Sequence, residues 1–578
     1  MEKELEEKLH MYRHSMAHVL AKALTQIWPD VKLTIGPAID NGFYYDIDLN
    51  HSITPEDFKQ IEEKMNAIIK NNEDFVRQEV SKQEALKIFK GNEYKEELIN
   101  ELPENEIITI YKTGSDFVDL CRGPHVENTK FLRGFAFKIN KVNGAYWRGN
   151  EKNKMLQRVY CYGFLNKEDL KNYVAMMEEA LKRDHRKLGK ELGLYFISDY
   201  AKGMPTYMPK GLQLKNTLIE FWREIHKKAG YVEIETPMAM SRELWEISGH
   251  WDHYQANMYT FKVEDDTFAI KPMNCPGGML YYQQNIHSYK EFPLRVGELG
   301  KVHRHEASGT LNGLLRVRCF TQDDAHIFML PSQIEDEIKN VMKLVDQVYT
   351  TFGLKYSVEL STMPESHIGE VSEWEMAETA LKNALEHMNL DYKINEGDGA
   401  FYGPKIDIHV TDCIGREWQC GTIQLDMQLP KRFNLTYVDS DGSLKEPIMI
   451  HRVVYGSLER MIAVLIENFA GAFPTWLSPV QVKILNISDA QLQYAKNVKA
   501  ILEDNGIRVE LDDRNEKIGK KIREAQLEKV PYMLVVGDKE MAENKVAVRH
   551  RKEGDKGVLT INQFVENILA EIKSKEIK

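Results

Sequence analysis

The stretch from Arg295 to Phe328 constrains this chain more than any other. Its alternation predicts two long antiparallel strands joined by a polar, Gly-containing loop from Ala307 to Gly313. Side chains two apart on a strand share a face, so Arg304 and Glu306 are expected on one surface and His305 on the other. On the returning strand Gln322, Asp324 and His326 are again two apart. They put an amide, an anion and a metal-capable imidazole where a half-buried strand would carry Val or Ile. Arg316 and Arg318 add cations at the start of that strand. The hairpin thus offers positive charge at one end and acid plus imidazole at the other, which suits a phosphate beside an amine. A polar strand face is often no more than a solvated one, so the other motifs must decide.

The size allows three or four domains: 578 residues, 43% of them hydrophobic, are the composition of a globular protein. No apolar run approaches the roughly 18 to 20 residues needed to span a bilayer, and the charged start MEKELEEK is no secretory signal; a cytoplasmic protein is expected. The cysteines at 121, 161, 275, 319, 413 and 420 are too scattered for a disulfide framework, so reduced thiols are expected, one or two of them in metal or site chemistry. A net charge of −12 excludes a general nucleic-acid coat but leaves room for a local basic track.

In chain order, His14 and His18 lie four apart on one helix face, and Cys121 and His125 flank the turn Gly123-Pro124. Two such pairs could form a structural or catalytic zinc site. The charged run 168–191 reads as a solvated linker helix, with contact to nucleic-acid phosphates as its second use. A helix is predicted from Leu212 to Ala229, followed by a strand with Val232 and Ile234 that ends at Pro237. His250 and His253, set among Trp251 and Tyr254, are expected to be packing or substrate-loop groups rather than a metal site. Cys275 in KPMNCPGGM, His326 and His451 in HRVVYGSLER would make a three-ligand zinc site with an open fourth position, though their spacing cannot prove it. Residues 396–410 and 417–430 read as paired strands carrying Tyr402, Gln419 and Gln424, polar groups that call for a polar ligand. Arg460 enters the first turns of the next helix. After Pro479 strands and helices alternate over about 100 residues, a small α/β layer structure, with Lys517, Lys520, Lys521, Arg523, Arg549 and Arg551 as its basic groups.

These motifs resemble the class II aminoacyl-tRNA synthetases. The Arg304-x-Glu306 hairpin resembles motif 2, FTQDDAHIF its threonyl-tRNA synthetase version, the 212–237 helix and strand motif 1, and GSLER motif 3. HSMAHVL, IGPAIDNGFYYD and DLCRGPHV resemble the editing domain of bacterial-type threonyl enzymes, and the last 100 residues a class II anticodon-binding domain. The resemblance implies an α+β multidomain chain. Residues 1–167 would be the editing deacylase, 168–191 the linker helix, 192–477 an antiparallel catalytic sheet flanked by helices, and 478–578 an α/β anticodon-binding domain. It implies a threonine–tRNA ligase acting on ATP, L-threonine and tRNA(Thr) as a homodimer, with no membrane partner. Its cofactors would be one Zn2+ per subunit and Mg2+ with ATP.

By the same resemblance Arg304, Glu306 and Arg460 act on ATP. Met273, Arg316, Gln322, Asp324, Tyr402, Gln419 and Gln424 bind substrate, and Cys275, His326 and His451 hold zinc. His14, His18, Cys121 and His125 are read as a water-activating site for Ser-tRNA(Thr), whereas in alanyl relatives the same set is associated with zinc. There are two departures. Gly278 stands where family members often carry His, and the small ubiquitin-like domain that usually precedes the editing domain has no counterpart ahead of His14; a trimmed or a naturally short form is expected, and catalysis is not expected to depend on that domain. A prolyl or seryl ligase is disfavoured by the FTQDDAH and CPG positions, and a silent RNA-binding relative by the intact Arg304, Glu306 and Arg460.

Overall fold

The computed structural model describes residues 2–103, 106–412 and 414–577, so Cys413 lies outside the described residues. They form two compact units, Met1–Glu178 and Glu179–Lys578.

In the first unit the helix Glu2–Ile27 buries Met16, Leu20 and Leu24, spaced four apart, together with Val19 and Ala23. This stripe packs with Phe43, Tyr45 and Ile47, the alternate residues of the strand Gly42–Asp48. That strand pairs antiparallel with Met155–Phe164, which pairs with Ala136–Tyr146. A second antiparallel sheet joins Phe75–Val80, Ile108–Thr113 and Phe117–Leu120. Phe43 and Tyr45 are core aromatics, while Tyr44 points the other way under Arg158.

The stretch expected as one linker helix is two. Lys167–Arg183 buries none of its residues, and Asp184 then caps a new helix, His185–Glu191, by accepting from Arg186 N.

The second unit is built on an eight-stranded sheet. Its order is Val232–Glu233, Leu294–His303, Cys319–Met329, Ile448–Ser457, Glu417–Asp426, Lys405–Thr411, Lys355–Ser361 and Tyr392–Asn395. The six inner strands are antiparallel to one another, and each edge strand is parallel to the inner strand beside it. Ile327, Met329, Ile423, Leu425, Ile450 and Val454 face a layer of helices that includes Pro209–Lys228, Ile334–Thr351 and Leu458–Asn468. The pleat therefore turns Asp324, His326, Gln424 and His451 to the opposite face.

Several boundaries depart from the sequence expectation. The motif 1 helix starts at Pro209, whose ring suits the first helical position, and the strand after it is only Val232–Glu233. The 396–410 strand begins only at Lys405, leaving Tyr402 on the Gly-rich loop before it. The first motif 2 strand stops at His303, and the second starts at Cys319.

The C-terminal part has a five-stranded sheet of order Val509–Asp512, Val482–Asn486, Tyr532–Val536, Lys545–His550 and Gly554–Thr560, the first three parallel. Its edge strand Gly554–Thr560 escaped the sequence reading because it is mostly exposed and lacks an apolar face. Lys517, Lys520 and Arg523 are exposed, Lys520 within reach of Glu516 at 2.6 Å. Lys521 and Arg551 are not surface cations. Lys521 donates to Asn486 O, Asn486 Oδ1 and Asp512 O, and Arg551 to the carbonyls of Lys529, Ala472 and Phe473, so both satisfy backbone oxygens left at strand ends and turns.

Candidate active sites

Sheet register assembles the first site. His326 on Cys319–Met329 stands directly opposite His451 on Ile448–Ser457, and Gln424 pairs with His451 on its other side. Cys275 arrives as the first residue of the helix Cys275–Tyr282. One ligand atom from each of Cys275, His326 and His451 lies within 4.8 Å of the others, and all three residues are buried. His326 Nε2 is a buried nitrogen with no hydrogen-bond partner. His451 Nε2 lies 2.7 Å from Asp426 Oδ2, which leaves its Nδ1 unprotonated when Nε2 donates. Burial pushes the Cys275 thiol well up and the His326 imidazolium well down. Gly278 lies against this cluster: a Cβ there would come 3.0 Å from His326 Nδ1.

A cavity of about 330 Å³ opens beside the triad and is lined by Met273, Cys275, Arg304, Gln322, Asp324, Tyr402, Gln424 and His451 among others. Asp324 accepts from Asn274 Nδ2 at 3.2 Å, and Tyr402 OH donates to Gln424 Oε1 at 2.6 Å. Burial raises the Asp324 carboxyl, opposed by the nearby His451. His250 Nε2 lies 3.9 Å from Cys275 Sγ, so His250 sits against the triad. His250 is bonded to Ser248 Oγ and touches Met273 Sδ, and His253 stacks on Phe401.

A second cavity, about 380 Å³, shares Arg304, Gln322, Thr422 and Val453 with the first and adds Glu306, Arg316, Gln419 and Arg460. The expectation that Arg304 and Glu306 share a strand face is corrected here. Both lie beyond His303 on a connection that runs from 304 to 318, and Arg316 and Arg318 lie on it too. HRHEASGTLNG has no apolar alternation to seat a strand, so side chains hold it instead. Arg304 N still donates to Arg318 O at 2.9 Å, while Arg304 Nε donates to Pro272 O at 3.1 Å and Arg316 pairs with Glu306 at 2.9 Å. Arg460 Nε donates to Leu315 O at 3.0 Å and Nη1 to Gln419 O at 2.5 Å. Asn274, Asp426 and Asp407, which accepts from Gln419 Nε2 and Thr422 Oγ1, were missed by sequence reasoning. No local pattern marks them, because each serves a partner distant in the chain.

In the first unit His14, His18, Cys121 and His125 also gather, each giving one ligand atom within 4.8 Å of the rest. Cys121 Sγ is 3.2 Å from both His14 Nε2 and His125 Nε2, and Ser15 Oγ is 3.2 Å from His125 Nδ1. Behind them is a buried carboxylate that the sequence reading did not single out. Asp119 takes Lys95 Nζ at 2.5 Å, the Tyr45 hydroxyl, and His18 Nε2 at 3.7 Å. Burial lowers the pKa of His14, His18 and His125 and pushes the Cys121 thiol up to about 11. The cluster is therefore a set of neutral bases around a neutral thiol, able to take a proton from water or to hold a metal.

Residues 259–469 match the tRNA synthetase class II core domain (G, H, P, S and T), residues 481–571 an anticodon binding domain, and residues 108–160 the threonyl and alanyl tRNA synthetase second additional domain. The threonine–tRNA ligase of Clostridioides difficile is 59% identical over 98% of this chain and 88% of its own length. The chain belongs to the threonine–tRNA ligase family. The threonine–tRNA ligase of Acetivibrio thermocellus is 60% identical, over 98% of this chain and 89% of its own. A crystal structure of the RNA binding domain of threonyl-tRNA synthetase from Cryptosporidium parvum aligns with a TM-score of 0.66 at 43% identity, over 67% of this chain and 98% of that one. Membership of the threonine–tRNA ligase family accords with the α+β multidomain class. Cys275, His326 and His451 fall in the matched core, and Cys121 and His125 in the matched additional domain. Among the described residues no helix is long and apolar enough to cross a membrane.

Proposed function

We propose that the chain activates L-threonine with ATP, transfers it to tRNA(Thr), and hydrolyses Ser-tRNA(Thr) in its first unit. The observation that carries this reading is the buried triad of Cys275, His326 and His451, two of which, Cys275 and His451, line a cavity together with Asp324. The donor set fits zinc: a thiol and two imidazoles, one with an orphaned Nε2, are borderline-to-soft ligands that Mg2+ would not choose. Bound there, one Zn2+ per subunit would supply a Lewis-acidic anchor for the amine and hydroxyl of threonine. Asp324, steadied by Asn274, accepts a hydrogen bond from the substrate hydroxyl. Valine lacks that hydroxyl and leaves the buried polar groups unpaired, which can cost it a factor of about 10⁴. Serine keeps it and lacks only a methyl, worth about 1 to 3 kcal/mol, so a second, hydrolytic site is needed.

Arg304 and Arg460 lie at the neighbouring cavity, where two guanidinium groups offset the charge that shifts at the α-phosphate. Glu306 accepts from the adenine amino group, Arg316 contacts the nucleotide, and Mg2+ enters with ATP. Gln322, Gln419, Tyr402, Gln424 and Met273 shape the pocket for the amino acid and its adenylate. In the first unit, His14, His18, Cys121 and His125 orient and deprotonate a water for the ester. The division is editing 1–167, linker 168–191, catalytic 192–477 and anticodon-binding 478–578, in a cytoplasmic homodimer joined through the motif 1 segment.

ATP–pyrophosphate exchange with a panel of amino acids tests the reading. Exchange is expected with threonine, weaker exchange with serine, and essentially none with valine or proline. Exchange driven by proline, or no exchange with any amino acid, would overturn it.

A further inference from the structure

His185 belongs to the stretch expected to be a solvated connector, yet it is 1% exposed. Its Nδ1 lies 2.7 Å from Glu467 Oε1, and its Nε2 accepts from the backbone N–H of Leu314 at 3.1 Å. A backbone N–H can only donate, so Nε2 is unprotonated and Nδ1 carries the ring proton to Glu467. With both nitrogens committed, the group Asp184, His185 and Glu467 has no imidazole nitrogen to offer a metal.

The two partners of His185 belong to two of the elements that line the cavity proposed for ATP, the 304–318 connection and the helix that carries Arg460. Leu314 is fully buried on the 304–318 connection, which carries Glu306 and Arg316. Gly313 beside it has φ +50°, and a Cβ there would fall 2.0 Å from His185 Nε2, so the loop backbone lies directly on the imidazole. The carbonyl of the next residue, Leu315, accepts from Arg460 Nε. Glu467 is in the last turn of the helix Leu458–Asn468 that carries Arg460, and its other oxygen pairs with Arg416.

We infer that His185 is a positioning residue for the ATP half of the site: it seats the motif 2 connection against the motif 3 helix without touching the nucleotide. The kinetic part rests on the reading of the 380 Å³ cavity as the ATP site.

Two amide isosteres separate its two bonds. In His185→Asn the amide falls where Nδ1 lies and keeps a donor for Glu467, while the Leu314 N–H loses its acceptor. In His185→Gln the amide falls where Nε2 lies and keeps that acceptor instead. In threonine-dependent exchange, His185→Asn is expected to raise KM for ATP about tenfold and leave KM for threonine within about twofold, with a lowered melting temperature because the buried Leu314 N–H is left unpaired. His185→Gln should keep KM for ATP within about twofold while melting at lower temperature. Both variants raising KM for ATP alike, or both KM values rising together, would reduce His185 to general support of the fold and overturn the inference.

Amide hydrogen exchange over residues 307–318 reads the same contact without the ligase reaction. Faster exchange in His185→Asn than in His185→Gln supports the hold on the loop even if no amino acid drives exchange, and equal rates refute it. If either variant fails to fold, Gly313→Ala tests the same contact from the loop side. It should raise KM for ATP, and an unchanged value would count against His185.

Discussion

His326 and His451 face each other across neighbouring strands, ring centroids 5.1 Å apart and planes at 83°; His326 Nε2 has no hydrogen-bond partner among the described residues, and Cys275 completes the buried cluster. Purified protein should therefore contain one zinc per chain by elemental analysis. His326→Ala should lose the metal and threonine-dependent exchange together while keeping its circular dichroism, because a catalytic ion need not hold the core. Full activity in zinc-free protein would end this claim.

Asp426 should tune that metal through His451. Its Oδ2 takes His451 Nε2, and its Oδ1 is fixed by the N–H groups of Gln428 and Leu429. Asp426→Asn should weaken zinc binding by about 10- to 100-fold in a chelator competition, the usual effect of losing a carboxylate behind a metal-bound imidazole. Unchanged affinity would exclude His451 as a ligand held in this orientation.

Arg304→Ala should slow threonine activation by at least about tenfold, since a charge-assisted contact at a developing charge is worth on the order of 2 to 4 kcal/mol. The fold should survive, because Arg304 sits on the 304–318 connection, where its side chain donates to the Pro272 carbonyl and lies over the rings of Tyr254 and Phe320. An unchanged exchange rate would place the nucleotide elsewhere.

The double variant His14→Ala with His18→Ala should activate threonine at the original rate and accumulate Ser-tRNA, because both residues lie in the other compact unit. Equal hydrolysis of Ser-tRNA by wild type and variant would leave the four residues as structural. Survival of hydrolysis after chelation that strips metal from the first unit would favour water activation by the imidazoles themselves.

A pH dependence of stability should come from His226. Its Nδ1 bonds Trp222 O at 2.7 Å, the ring stacks on Trp222, and burial with the added charge of Arg452 lowers its pKa to about 2. In the unfolded chain it titrates near 6.5, so the folded state binds the proton less readily than the unfolded one. Its contribution is fully present above about pH 6.5 and is lost as pH falls below it, at about 1.4 kcal/mol per pH unit. His226→Gln should flatten the fall in melting temperature between about pH 6.5 and 5. Parallel curves for the two proteins would assign the fall to other groups.

Local chemistry made a good part of this molecule legible in its sequence. The spacing of His14 and His18, the alternation of Gln322, Asp324 and His326, and the entry of Arg460 into its helix are properties of a few consecutive residues, and the backbone periods of helix and strand translate them directly. The motif 2 strands were read too long because Arg304, Glu306 and Arg316 alternate like strand residues yet have no buried face to hold them in the sheet. Lys521, Arg551 and His185 were read as surface groups because a charged or basic residue is normally solvated. Each is instead held by partners that include one far along the chain: Asn486 for Lys521, Ala472 for Arg551 and Leu314 for His185.

What the sequence by itself determined is which side chains are available and which of them share a face. Which faces meet was decided by strand order and register. The pairing of Cys319–Met329 with Ile448–Ser457 brings His326 to His451, and a shift of one residue would turn one of the two imidazoles into the helix layer. That register is held by the burial of Ile327, Met329 and Ile450 on the far side of the same sheet, a long-range packing energy that no short stretch of sequence contains.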